Sequence, residues 1–185
     1  SSDLIEETAR EFGLDPAAIV KLASNENPLG MPESAKRVVA AELAEGARYP
    51  DGNGFALKAA LSRALGVPSE WITLGNGSND ILELATHAFV QPGEATVYAQ
   101  HAFIVYALAT QAVGGRGIVV PARDHGHDLD AMAAAITPDT RIAFVANPNN
   151  PTGTFVDGDA LARFVGQVRS DVVVVIDEAY GEYLP

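Results

Sequence analysis

Cysteine is absent from this 185-residue chain, which excludes thiol nucleophiles, thiolate metal sites and disulfides and leaves the redox compartment undetermined. Basic residues are scarce. With 12 Lys and Arg against 24 Asp and Glu, the formal net charge is -12, so the positive footprint that nucleic acid or an anionic membrane surface requires is missing. No apolar run approaches transmembrane length. The start, Ser1-Ser2-Asp3-Leu4-Ile5-Glu6-Glu7, is acidic and lacks the basic and apolar regions of a signal peptide. The expectation is a cytoplasmic protein that acts on small molecules. What is present is an ordinary globular composition, 48% hydrophobic and 19% charged, in a length that suits one well-cored domain. Repeats, low-complexity tracts and linkers are all missing.

The residues up to Gly46 read as a helical arm. Helix Leu4 to Phe12 is closed by Gly13, and helix Glu33 to Ala44 by Gly46. Between them, Ser24-Asn25-Glu26-Asn27-Pro28-Leu29-Gly30 is turn chemistry. The expected division is therefore 1–46 for the arm and 47–185 for the rest. From Phe55 onward, β-branched runs alternate with helical ones. Helix Phe55 to Leu65 ends at Gly66, and strand Trp71 to Leu74 leads to helix Asn79 to Phe89. Strand Ala95 to Tyr98, helix Phe103 to Val113, strand Gly117 to Val120 and helix Leu129 to Ile136 follow. Strand Arg141 to Ala146, helix Ala160 to Val168 and strand Val172 to Ile176 complete the series. Such alternation predicts an α/β fold with a mainly parallel sheet flanked by helices. Val172-Val173-Val174-Val175-Ile176 is apolar at every position, as a central strand covered on both faces must be. In open α/β sheets the ligand crevice lies at the carboxyl ends of the strands, which is where Asp177 falls.

Three segments carry chemistry. Gly75-Asn76-Gly77-Ser78-Asn79-Asp80 opens a helix, so its backbone N–H groups and the helix dipole suit a phosphate. The alternative is a plain strand-to-helix turn capped by Ser78 or Asn79. A dinucleotide is disfavoured, because the third glycine and a later acidic strand end are missing. Asn147-Pro148-Asn149-Asn150-Pro151-Thr152-Gly153 follows a strand, and its prolines stiffen the loop enough to aim an amide side chain. Asp177-Glu178-Ala179-Tyr180 ends the buried strand, and a carboxylate there needs a cation or several donors. A protonated pyridine ring would satisfy it, and the carboxylate would keep that ring an electron sink. Metal binding by Asp177 and Glu178 is the competing reading, disfavoured because neighbours along a strand point to opposite faces.

With these loops in order, the chain resembles the fold-type-I pyridoxal-phosphate (PLP) enzymes, specifically the histidinol-phosphate aminotransferase group. Leu22-Ala23-Ser24-Asn25-Glu26-Asn27-Pro28, then Arg48-Tyr49-Pro50-Asp51, then the three segments above carry the resemblance, from about Lys21 to the last residue. It implies that residues 1–46 are an arm with part of the small domain, and 47–185 an incomplete PLP-binding large domain. It implies further that the backbone of Ser78 and Asn79 cradles the cofactor phosphate and that Phe103 stacks on the ring. Asn150 and Tyr180 would bond the ring's phenolic oxygen, and Asp177 would hold the ring nitrogen. Tyr49 would reach the cofactor phosphate of a neighbouring subunit, making a homodimer, and Asn25 would line the substrate side. The substrates would be an amino acid and a keto acid, here histidinol phosphate with 2-oxoglutarate.

One departure stands out. The resemblance implies a Schiff-base lysine downstream of the Asp177 strand, together with carboxylate-binding arginines, and the chain stops at Pro185. Its lysines are Lys21, Lys36 and Lys58, all before the cradle and none at a catalytic position. The chain is therefore expected to be part of a longer enzyme and inactive alone. An aromatic-amino-acid aminotransferase, a threonine-phosphate decarboxylase or a non-catalytic PLP-fold remnant are the alternatives. No basic or helix-turn-helix-like segment precedes Glu33 to favour a regulator. Asp124-His125-Gly126-His127-Asp128 has metal-ligand residue types, but Asp128 is better placed as a helix N-cap, so no metal is expected. His101 and His87 have no triad-type neighbours.

Overall fold

The structure is a computed structural model that describes residues 4–22 and 24–184. Ser1 to Asp3 of the acidic start, Ala23 of the Leu22-to-Pro28 motif, and Pro185 lie outside the described residues. The chain divides into two compact units, Ser1–Asn53 and Gly54–Pro185.

In the first unit, α1 (Ile5–Phe12) ends at Gly13, whose φ of 64° is the left-handed conformation that the sequence assigns to it. Helix α2 (Glu33–Glu42) is shorter than expected. Its last turn tightens to a 3-10 form over Leu43–Glu45, and Gly46 stays right-handed at φ -60° instead of acting as a left-handed cap. Ala9 is the one buried residue among the described residues of this unit.

The second unit begins with α3 (Phe55–Leu65), closed by left-handed Gly66. The strand expected over Trp71 to Leu74 does not form. Pro68 starts a 3-10 turn, in which the Trp71 N–H donates to the Pro68 carbonyl, and the following residues join no strand among the described residues. Helix α4 (Gly77–Phe89) starts earlier than the expected Asn79. There follow β1 (Ala95–Ala99), α5 (Ile104–Ala112), β2 (Arg116–Val120), α6 (Leu129–Ala134), β3 (Thr140–Ala146), α7 (Gly158–Gln167) and β4 (Val173–Asp177). Asp128 and Asp157 cap α6 and α7, their side chains accepting from Ala131 and Ala160 N–H.

The four strands form one parallel sheet in the order β2-β1-β3-β4. Alternation along β3 sends Ile142, Phe144 and Ala146 to a core with Leu82, Val105 and Tyr106, and Ala143 and Val145 to one with Met132 and Phe164. The apolar run expected to be central, Val172 to Ile176, falls in β4; among the described residues β4 pairs with β3 alone, and Ile176 is 39% exposed. Apolarity at every position shows what a strand is suited to bury, and sheet order decides what is buried here. No helix among the described residues is long and apolar enough to cross a membrane.

Candidate functional site

The carboxyl ends of β3 and β4 are joined by main-chain pairing that continues past the strands, because Asn147 N–H donates to the Asp177 carbonyl at 2.9 Å. From this pair the two loops diverge. The asparagine loop is held by its own side chains. Asn147, 4% exposed, donates through Nδ2 to the Val156 carbonyl and accepts from Val156 N–H, both at 2.8 Å. Asn149, 3% exposed, donates to the His101 carbonyl and to Thr152 Oγ1, both at 2.7 Å. Its Oδ1 is buried without a hydrogen-bond partner. Both X-Pro bonds of the loop, Asn147-Pro148 and Asn150-Pro151, are cis. Asn147 and Asn149 thus hold the loop through their side chains, and Asn150 beside them is half-buried.

Asp177 Oδ2 accepts the Tyr106 hydroxyl at 2.8 Å, and Oδ1 accepts Ala179 N–H at 3.2 Å. The donors that the sequence reading required of Asp177 are therefore partly internal. Tyr106 is fully buried, its ring stacked on Phe144 at 4.6 Å and 2° and meeting Phe103 edge-on at 6.1 Å. Burial foremost, then the charge of Asp177 and the bond to it, raise the Tyr106 phenol above its ordinary range. Tyr180 starts the 3-10 turn Gly181–Tyr183 beyond β4, with its ring 6.3 Å from that of Tyr183.

Helix α4 precedes β1 and α5 follows it, so the first turns of both helices open toward the carboxyl edge. Phe103 is the N-cap residue of α5 and packs on the Tyr106 core. At α4 the Asp80 carboxylate accepts both the backbone N–H and the amide of Asn76 at 2.9 Å, and these bonds, the backbone one first, hold its carboxyl below the usual range. Gly77 N–H is bonded to the Gly75 carbonyl. With those donors engaged, the Ser78 and Asn79 backbone N–H groups are the ones the helix terminus leaves for an anion. The Asn79 side chain turns away to Glu83 at 2.9 Å. At Gly77, φ is 74° and nothing lies within 4 Å of the place a Cβ would take, so a ligand has open approach.

The remaining expected residues lie in the first unit. Asn25 is in an exposed turn at φ 46°, and Tyr49 is fully exposed beside the Arg48–Glu45 ion pair. Of the Asp124-to-Asp128 residues, Asp124 and His125 form a turn at positive φ, and Asp128 caps α6. His127 donates Nε2–H to the Ala146 carbonyl at 2.8 Å, and burial lowers its imidazole below the ordinary value. The sequence reading missed Tyr106, Asn149 and His127 as supports of the edge. For Tyr106 a signal existed, since a residue three after Phe103 on a helix shares its face.

The family model described as aminotransferase class I and II matches residues 17–185. Histidinol-phosphate aminotransferase 1 of Cupriavidus pinatubonensis is 72% identical over 97% of this chain, and histidinol-phosphate aminotransferase 2 of Ralstonia nicotianae is 68% identical over the same share. The chain spans about half the length of the curated relatives it matches, 48% in both cases. Among solved structures, histidinol-phosphate aminotransferase from Sinorhizobium meliloti in complex with pyridoxal-5'-phosphate matches with a TM-score of 0.89 at 26% identity, over 98% of this chain and 49% of that one. The aspartate aminotransferase of Rhizobium meliloti, 18% identical over 93% of this chain and 46% of that one, shares the fold at a TM-score of 0.76.

Proposed function

Since the chain belongs to the class I and II aminotransferases, we propose that its protein is a histidinol-phosphate:2-oxoglutarate aminotransferase that uses pyridoxal 5'-phosphate. The observation that carries this reading is the likeness to histidinol-phosphate aminotransferases across nearly the whole chain. When bound, the cofactor supplies an electron sink through which an amino group passes between an amino acid and a keto acid.

The residues present suit such a group. The backbone N–H groups of Ser78 and Asn79 hold its phosphate at the first turn of α4, where the helix dipole favours an anion. Phe103 covers a ring face. Asp177 accepts from a protonated ring nitrogen and keeps it protonated, while Asn150 and Tyr180 donate to the phenolic oxygen. Each oxygen of a carboxylate has two lone pairs, so Asp177 keeps acceptor capacity beyond Tyr106 and Ala179. Asn25 contacts substrate, and Tyr49 binds the cofactor phosphate of a second copy, so the protein works as a cytoplasmic homodimer with shared sites. Mixing Tyr49→Phe subunits with Asp177→Ala subunits should then restore part of the activity, and no restoration at any ratio removes the shared-site assignment.

The function is tested with the natural polypeptide that contains this chain, supplied with pyridoxal phosphate, histidinol phosphate and 2-oxoglutarate. Glutamate should form with stoichiometric loss of the amino donor. Preferential use of aromatic amino acids, or release of carbon dioxide from threonine phosphate, would overturn the substrate assignment.

A further inference from the structure

Tyr106 stands between two residues of the proposed site that lie on different elements. Its ring is clamped by the Phe144 stack on one side and the Phe103 edge on another, so the hydroxyl has little freedom to follow a moving partner. That hydroxyl meets Asp177 Oδ2 at 2.8 Å across 71 positions of sequence, and Oδ1 is held separately by Ala179 N–H. One donor on each oxygen fixes the carboxylate plane, and a phenol that donates to a carboxylate takes up part of its charge.

Resting on the reading of Asp177 given above, we propose that Tyr106 is a positioning residue for it. The hydroxyl fixes the orientation of the carboxylate and shares its charge, and so sets how firmly Asp177 holds a protonated nitrogen. A hydroxyl that merely completes the core would predict a loss of stability in Tyr106→Phe and nothing more. Charge sharing predicts a change that runs through Asp177. The phenol is raised above its ordinary range by burial first and by Asp177 second, so it stays a donor across the physiological pH range.

Two measurements on the natural polypeptide test this. In the cofactor-free protein with 13C-labelled tyrosine, the Tyr106 resonance should stay un-ionised while exposed tyrosines titrate. In Asp177→Asn its ionisation should move to lower pH. An unchanged Tyr106 titration in Asp177→Asn overturns the proposal, whatever reaction the protein catalyses. In the holoenzyme, Tyr106→Phe should lower kcat about tenfold with KM for the amino donor within about twofold. The same change made in Asp177→Asn should add nothing. An equal loss in both backgrounds means that Tyr106 acts independently of Asp177 and also overturns it. If the unaltered holoenzyme transfers no amino group, the function reading fails, and the tyrosine titration still decides the pairing.

Discussion

The two edges of the parallel sheet are built from different chemistry. At the amino edge charges close on one another. Arg141 Nε meets Glu94 at 2.8 Å, Arg116 meets Asp139 at 2.6 Å, and Arg169 pairs with Asp171 at 2.9 Å while its other nitrogen donates to the Thr137 carbonyl. At the carboxyl edge, apart from the Arg123–Asp128 pair at 3.5 Å, the polar groups lean on neutral partners: Asn147 on Val156, Asn149 on His101, Asp177 on Tyr106 and Ala179. A salt bridge consumes the charge of both members, whereas a carboxylate that accepts only from neutral donors keeps its net charge for a ligand. The amino edge is thereby equipped to hold strands together, and the proposed site falls at the carboxyl edge.

The sharpest way to break this contrast is at Asp177. Asp177→Ala should cut amino transfer by the ~10²–10³-fold that loss of one preorganised electrostatic contact brings, with a stability loss of about 1–3 kcal/mol because the buried Tyr106 hydroxyl loses its acceptor. Asn150→Ala should cost less, because Tyr180 remains for the same oxygen. Steady-state kinetics beside a melting curve separate the cases, and near-normal turnover in Asp177→Ala removes the assignment.

Asn149→Ala comes next. It strips the His101 carbonyl of its donor in a buried place, so denaturant unfolding should show a loss of about 2 kcal/mol, and kcat should drop as Asn150 loses its fixed loop. At the opposite edge, Arg141→Ala should lower stability by about 1 kcal/mol and leave kcat and KM within about twofold. A large kinetic effect from Arg141 would erase the distinction between the edges.

The smallest expected effect is one of pH. His127 is neutral in the fold because burial depresses its pKa below the ordinary 6.5, so the unfolded chain binds more protons as pH falls past that value. Stability from His127 is complete above about pH 6.5 and declines as pH falls toward the folded pKa. His127→Gln should flatten the stability profile below about pH 6.5. At the amino edge the Thr137 hydroxyl first, and then Arg116, depress the Asp139 carboxyl to about 2. Its contribution is therefore present above the unfolded value near 3.8 and lost as pH falls through about 2, a separate and more acidic window.

Local physical chemistry made much of this molecule legible from sequence. Gly13 and Gly66 end helices because they alone take left-handed φ without a Cβ clash, and Asp128 caps α6 because its short side chain reaches an N–H three residues on. Strand and helix periods differ, so the alternation from Phe55 onward predicts a parallel sheet and places Asp177 at a strand end. The Trp71-to-Leu74 run shows the limit of the same logic, because β-branched and apolar residues make a strand only where a partner strand offers its hydrogen bonds. Only the tertiary structure decided that Asn147 and Asn149 are spent on holding the loop and that Tyr106 belongs to Asp177. Those outcomes depend on partners as far as 48 and 71 positions away, and a side chain's type names the bonds it can make without naming which distant group the fold will bring to it.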